Sequence, residues 1–266
     1  MNLDNFFFYP DDIDYGGYPH KSGFEYEDVR FKSSDNIILH GWFIPSTSLE
    51  EPQGTIIHFH GNAANMTNHW HLVEWIPRTR YNLFTFDYRG FGQSEGTPNL
   101  NGVFEDCMAA ISFVRFYKPH NSKDIVFLGQ SIGGAFSLIS AKKAINTKQD
   151  IKGIITDSSF ASFRSVVNAK MSMLPKVIRG GLVNTLVNEK YSSKGKIDEL
   201  TMPKLFIHGT DDEVVPYKCG QELFQTAPKP KQFLKINNGK HLSVFNKKSK
   251  ADMSLVMRFL DSLSCK

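Results

Sequence analysis

Cysteine is scarce in this 266-residue chain: three residues, Cys107, Cys219 and Cys265, far apart and odd in number. That excludes a disulfide framework and any C-x-x-C metal spacing, and it suits a reducing compartment. Long apolar runs are missing too. No window holds the roughly 18 apolar residues of a membrane-spanning helix. The opening MNLDNFFFYPDD lacks the basic start and apolar stretch of a signal peptide. The expected location is therefore cytoplasmic. An excess of one charge sign is nearly absent. Lys and Arg number 31 against 27 Asp and Glu, a net +4, too small an imbalance for a nucleic-acid partner. Internal repeats and low-complexity tracts are absent, which excludes a fibrous repeat and wholesale disorder.

What is present is ordinary globular stock, 41% hydrophobic with 22 Phe, enough for an aromatic-filled core. Phe6-Phe7-Phe8 reads as a packed first segment, since three aromatics offer too little area for stable membrane anchoring. Glu25–Lys32 and Asn36–Ile44 alternate polar and apolar residues around Ser33-Ser34-Asp35, the pattern of an antiparallel hairpin. Six short apolar runs follow: Thr55–Phe59, Leu83–Phe86, Ile125–Leu128, Ile151–Thr156, Leu205–Ile207 and Gln232–Ile236. Continuous runs of this kind suit strands buried on both faces of a parallel sheet. Helical periodicity appears at Val103–Tyr117, Ile132–Ala144 and Ser249–Leu263. The order predicts an α/β fold: a mostly parallel eight-stranded sheet with helices on both faces, and ligands bound at the carboxyl ends of the strands. Phe160–Leu200 interrupts the alternation. About 40 structureless residues would be out of place in a compact domain, so this stretch is expected to be a small helical cap, broken near Pro175 and Gly180-Gly181.

The strongest local signal is Gly129-Gln-Ser131-Ile-Gly133, between an apolar run and a helical one. A strand–turn–helix G-x-S-x-G holds its serine in a strained turn, so its neighbours must be small, and it presents the hydroxyl at a helix N-terminus. A serine hydroxyl needs a base and an orienting carboxylate to act as a nucleophile. In this setting the chain order is Ser, acid, His. Of nine histidines only His208 and His241 follow Ser131. His208 precedes the best acids, whereas His241 lies in Asn237-Asn-Gly-Lys-His241, just past the last strand, and is the expected base. Asp212 is the expected acid, with Asp211 and Asp157 as rivals. Two adjacent carboxylates cannot both face one imidazole, so the other is expected to accept backbone hydrogen bonds in the turn. The oxyanion-hole donors are expected to be the backbone N–H groups of Ile132 and of Asn62, in the loop His60-Gly61-Asn62, with Gly61 allowing close approach. His58, His60, His69 and His71 lack the spacing and partner ligands of a zinc site, so no metal is expected. Asp87-Tyr-Arg-Gly90-Phe-Gly92 opens a tight loop without a dinucleotide fingerprint, and no P-loop occurs, so no organic cofactor is expected either.

The motifs HFHGNAAN, FDYRGFGQSEGTP, GQSIGGA, PKLFIHGTDDEVVP and NGKH stand in this order in the chain. From about Phe24 onward the sequence resembles the α/β-hydrolase superfamily, and within it the Bem46-like serine hydrolases. The resemblance implies an α/β-hydrolase fold, one domain over 1–266 with its cap insertion at about 160–200. It implies Ser131 as nucleophile, Asp212 as acid, His241 as base, and Asn62 and Ile132 at the oxyanion. The expected function is hydrolysis of carboxylic esters or thioesters through an acyl-enzyme on Ser131. The expected partner is a small-molecule or lipid-like acyl ester of short to medium chain. A non-catalytic binding module on the same scaffold and an acyl-peptide hydrolase are the alternatives. Phe160–Leu200 carries seven basic residues against three acidic ones, so the whole excess of +4 sits on the expected cap. That points to peripheral contact of the cap with anionic lipids or substrates.

Overall fold

The computed structural model describes residues 7–117, 124–147, 150–171, 181, 183, 185–247 and 250–263. Ten strands lie among the described residues. They are β1 (Tyr9–Pro10), β2 (Glu27–Lys32), β3 (Ile38–Ile44), β4 (Gly54–Phe59), β5 (Ala63–Ala64), β6 (Tyr81–Phe86), β7 (Ile125–Gln130), β8 (Gly153–Asp157), β9 (Lys204–Gly209) and β10 (Lys231–Ile236). Eight of them form one sheet in the order β10-β9-β8-β7-β4-β6-β3-β2. The β2–β3 and β3–β6 pairs are antiparallel and the rest are parallel. The sequence-predicted hairpin is β2–β3, and each of the six apolar runs became a strand. Every residue of β4, β6, β7, β8 and β9 is buried, which is why their sequences read as unbroken apolar runs rather than alternation.

Helices cover both faces: α1 (Met66–Val73), α2 (Leu100–Phe116), α3 (Ile132–Asn146), α4 (Phe163–Lys170), α5 (Tyr217–Thr226), α6 (Ser243–Lys247) and α7 (Lys250–Leu263). On one face α2 and α3 bury Leu100, Val103, Phe136 and Leu138 against Phe59, Phe86 and Phe127. On the other, α1 and α7 bury Trp70, Val73, Val256, Phe259 and Leu260 against Ile56, Leu83, Val126 and Leu205. Local chemistry starts several helices. The side chains of Asn65, Asn99 and Ser162 accept from Thr67, Gly102 and Ser165 N–H, capping α1, α2 and α4.

Arg89 locks the loop after β6. Its guanidinium donates to Asp106 on α2 (2.8 Å) and to Asp35 (2.7 Å), both bonds beside a nearly buried side chain. Between β8 and β9 the chain carries α4 and helical residues at 181, 183, 185 and 186. The expected break at Pro175 and Gly180, the basic Lys176 and Arg179, and the apolar Met173, Leu174, Val177, Ile178 and Leu182 lie outside the described residues, as do Phe6 and Cys265. Phe7 and Phe8 do pack: Phe7 meets Phe163 edge-on at 4.9 Å, and Phe8 is buried between Phe91 and Phe136. Among the described residues no helix is long and apolar enough to cross a membrane.

Candidate active site

Ser131 stands between β7 and α3 with φ 54° and ψ −121°, a conformation rarely populated by a residue with a side chain. Its N–H donates to the Asp157 carbonyl at the end of β8 (2.9 Å). The flanking glycines are sterically required. A Cβ on Gly133 would fall 2.1 Å from the Phe59 carbonyl oxygen, and one on Gly129 would fall 2.5 Å from Gly134 Cα. Ile132 opens α3, where first-turn N–H groups have no intrahelical acceptor. A Cβ on Gly61 would meet His69 Cε1 at 3.5 Å and Ser131 Cβ at 3.9 Å, ordinary contacts, so packing against these neighbours does not require the glycine.

Asp212 and His241 come together. His241 Nδ1 donates to Asp212 Oδ2 at 2.8 Å. The other carboxylate oxygen of Asp212 accepts from the N–H groups of Val214 (2.9 Å) and Val215 (2.8 Å). Burial alone would raise this carboxyl, but the His241 bond and charge, the Val215 N–H and nearby His208 outweigh it and hold it below the usual carboxylate range. The rivals are elsewhere. Asp211 is exposed, its carboxylate accepting from Thr210 Oγ1, so the backbone-accepting turn role expected of it falls to Asp212. Asp157 is buried and pushed up to about 8 by desolvation, with Ser158 Oγ at 3.3 Å and no bond to His241. His208 Nε2 donates to the Val215 carbonyl (2.8 Å).

No hydrogen bond joins Ser131 to His241 among the described residues; Ser131 and Leu242, the residue after His241, are instead tied to the end of β8. Leu242 N–H donates to Ser158 Oγ (3.1 Å), one residue from the Asp157 carbonyl that holds Ser131. Five non-glycine residues with positive φ follow strands along this edge of the sheet: Ala64, Ser131, Ser158, Asn238 and Leu242. Asn62, Ser131 and Ile132 line one cavity of about 410 Å³. Its other walls are mostly apolar, including Phe160, Val166, Val187 and Val215, with Lys170 as the charged lining residue. That volume lies in the roughly 300–1,000 Å³ range of small-molecule sites.

Residues 54–180 match the family model of the alpha/beta hydrolase fold. The chain is 40% identical over 245 residues to YfhR of Escherichia coli K12, covering 91% of this chain and 81% of that protein. The chain belongs to the α/β-hydrolase superfamily. Relatives of this hydrolase include bem46 of Schizosaccharomyces pombe, 28% identical over 202 residues, covering 74% of this chain and 64% of that one. In fold it resembles the esterase Pf2001 of Pyrococcus furiosus, with a TM-score of 0.74, 21% identity and 96% of each chain covered. It also resembles Est1E of Butyrivibrio proteoclasticus, solved with ferulic acid bound, with a TM-score of 0.66, 17% identity and 88% and 99% of the two chains covered.

Beneath the site the hydrolase carries a buried polar floor built largely from the HFHGNAAN and GQSIGGA motifs. His58 Nε2 donates to Gln130 Oε1 (2.9 Å) and its Nδ1 pairs with Thr85 Oγ1 (3.0 Å). His60 Nδ1 donates to the Gly61 carbonyl (2.7 Å) and His69 Nε2 to the Ala63 carbonyl (2.9 Å). Burial keeps these rings neutral, with His58 lowered to about 3 and His69 to about 4. His60 and His69 are thus occupied in holding the loop after β4, and His58 in joining β4 to β6 and β7. Among the described residues no group of three potential ligands could hold a metal. Of the basic residues on 160–200, Lys194 pairs with Glu222 (2.6 Å), Lys196 donates to the Glu189 and Lys190 carbonyls, and Arg164 donates to the Val187 carbonyl. Arg164 and Lys196 therefore brace their own segment, and Lys194 ties it to α5.

Proposed function

We propose that this hydrolase is a serine hydrolase of carboxylic esters or thioesters that works through an acyl-enzyme on Ser131. The observation that carries the reading is the 2.8 Å hydrogen bond from His241 Nδ1 to Asp212, on a loop anchored to the strand end that also holds Ser131. With Nδ1 donating, Nε2 is the free base nitrogen. It takes the Ser131 proton as the hydroxyl oxygen attacks the acyl carbon. Asp212 fixes this tautomer and stabilises the imidazolium. The Asn62 and Ile132 N–H groups receive the developing oxyanion, each contributing about 3 kcal/mol of transition-state stabilisation. Protonated His241 hands its proton to the leaving alcohol or thiol, and water activated by the same ring hydrolyses the acyl-enzyme. Catalytic hydrogen bonds are often long in free enzymes and tighten with substrate, so the Ser131–His241 contact belongs to the complex.

The mostly apolar cavity favours an uncharged acyl chain of short to medium length. On this reading residues 1–266 form one domain and the segment between β8 and β9 is its cap. The test is labelling with a fluorophosphonate probe alongside turnover of p-nitrophenyl butyrate. The wild type labels at Ser131 and hydrolyses the ester. Ser131→Ala loses both, with turnover down by about 10⁶-fold. A folded wild-type protein that neither labels nor hydrolyses any ester or thioester would be a binding module instead.

A further inference from the structure

The segment from Phe7 to Gly17 precedes the first strand of the main sheet, yet it is sewn onto the site rather than onto that sheet. Tyr9 N–H donates to the Asn62 carbonyl (2.8 Å), and β1 pairs with β5 in parallel, Tyr9 beside Ala63 and Pro10 beside Ala64. Further on, Asn65 Nδ2 donates to Asp11 Oδ1 (3.0 Å) and to the Ile13 carbonyl (2.9 Å). Gly92 N–H donates to the Asp11 carbonyl (2.9 Å), and Gly17 N–H to the Thr67 carbonyl (3.1 Å). A Cβ on Gly17 would fall 2.1 Å from that oxygen, so the chain passes there at backbone contact.

The side chains along the strap alternate. Phe8 is the anchor, buried against Phe91 and Phe136. Phe7 and Tyr9 turn the other way and line the cavity that holds Ser131, Asn62 and Ile132. Tyr9 remains 59% exposed, a large ring kept at the cavity mouth, where Val214, also exposed, lines the cavity as well. Asn62 is therefore gripped on both sides. His60 holds the carbonyl of the Gly61–Asn62 peptide, and Tyr9 N–H holds the carbonyl of the Asn62–Ala63 peptide. In a trans peptide the N–H points opposite to the C=O. Fixing the Gly61 carbonyl on the buried side thus sets the direction of the Asn62 N–H.

We infer that this strap is part of the active site: Phe7 and Tyr9 are specificity-determining residues that bound the acyl pocket, held in place by the backbone clamp on Asn62. The inference rests on the esterase reading above and deepens it. Removing either ring lengthens the pocket, and enlarging Phe7 shortens it. One methylene in an apolar pocket is worth about 10-fold or more in kcat/KM, so a displaced wall is readable in a chain-length series.

The experiment compares full-length wild type, Phe7→Ala, Phe7→Trp and Tyr9→Ala on p-nitrophenyl acetate, butyrate, octanoate and dodecanoate, with the fluorophosphonate labelling rate measured for each. The two alanine variants should move the optimum to longer chains, changing the octanoate-to-butyrate ratio by about 10-fold. Phe7→Trp should move it the other way, and Ser131 labelling should persist in all three. Tyr9 is mostly solvent-exposed, so its variant keeps the test informative if Phe7→Ala folds poorly. An unchanged ratio in Tyr9→Ala and Phe7→Trp, or a uniform loss across all chain lengths, overturns the inference while leaving the esterase reading intact. A wild type that neither labels nor turns over any ester removes the esterase reading itself.

Discussion

At the residue scale the site separates three carboxylates, Asp157 and Asp212 buried and Asp211 exposed, by their surroundings. Asp212 is held ionised by His241 and two backbone N–H groups. Asp212→Asn should therefore keep the geometry but offer the wrong hydrogen-bond pattern to Nδ1, lowering kcat by about 10⁴-fold with little change in KM, as steady-state kinetics would show. Asp157 has no such partners, and burial pushes its carboxyl to about 8 from the usual 3.8. A group raised in the folded state gives stability that is complete below the unfolded value and is lost as pH rises through the folded one. Between about pH 4 and about pH 8 it costs up to about 1.4 kcal/mol per pH unit. Asp157→Asn should flatten that fall in a set of urea melts across this range, and an unchanged slope would show that Asp157 ionises freely. The choice among Asp157, Asp211 and Asp212 shows where sequence reading stops. Each follows an apolar run, and only the path of the loop after β9 turns one carboxylate toward His241 and its neighbour toward Thr210.

At the element scale legibility followed burial. Strands covered on both faces declared themselves as apolar runs, and α2, α3 and α7 appeared as helical periodicity within a few residues of their observed ends. The helices α1, MTNHWHLV, and α5, YKCGQELFQT, were not legible, because polar residues interrupt their apolar stripes and packing on the sheet decides their state. The strap was invisible for a different reason. Its pairing with the loop after β4 uses backbone groups, which every residue carries, so no side-chain pattern marks it. Arg89 belongs to this scale as well, since it ties the loop after β6 to α2. Arg89→Met would strand the buried Asp106 without its partner and should cost about 3–5 kcal/mol in denaturant melting. A loss within about 0.5 kcal/mol, typical of surface substitutions, would mean the loop is held by its other contacts.

At the scale of the whole molecule, the three proposed catalytic side chains are distributed across the sheet by its strand order. Ser131 follows β7, well inside, whereas Asp212 and His241 follow β9 and β10, the last two strands at one edge. The outermost strand, β10, is only partly buried, and edges with few buried contacts open at lower free energy than the centre. In a urea titration turnover should fall at lower concentration than the far-UV helix signal, and coincident transitions would show that this edge has no independent weakness. With the proposed nucleophile in the interior and the proposed acid–base pair on the rim, activity would depend on that margin staying in place. Shelf life judged by activity would then understate how long the fold itself survives, and stabilising the β9–β10 rim would lengthen working life more than any further filling of the core.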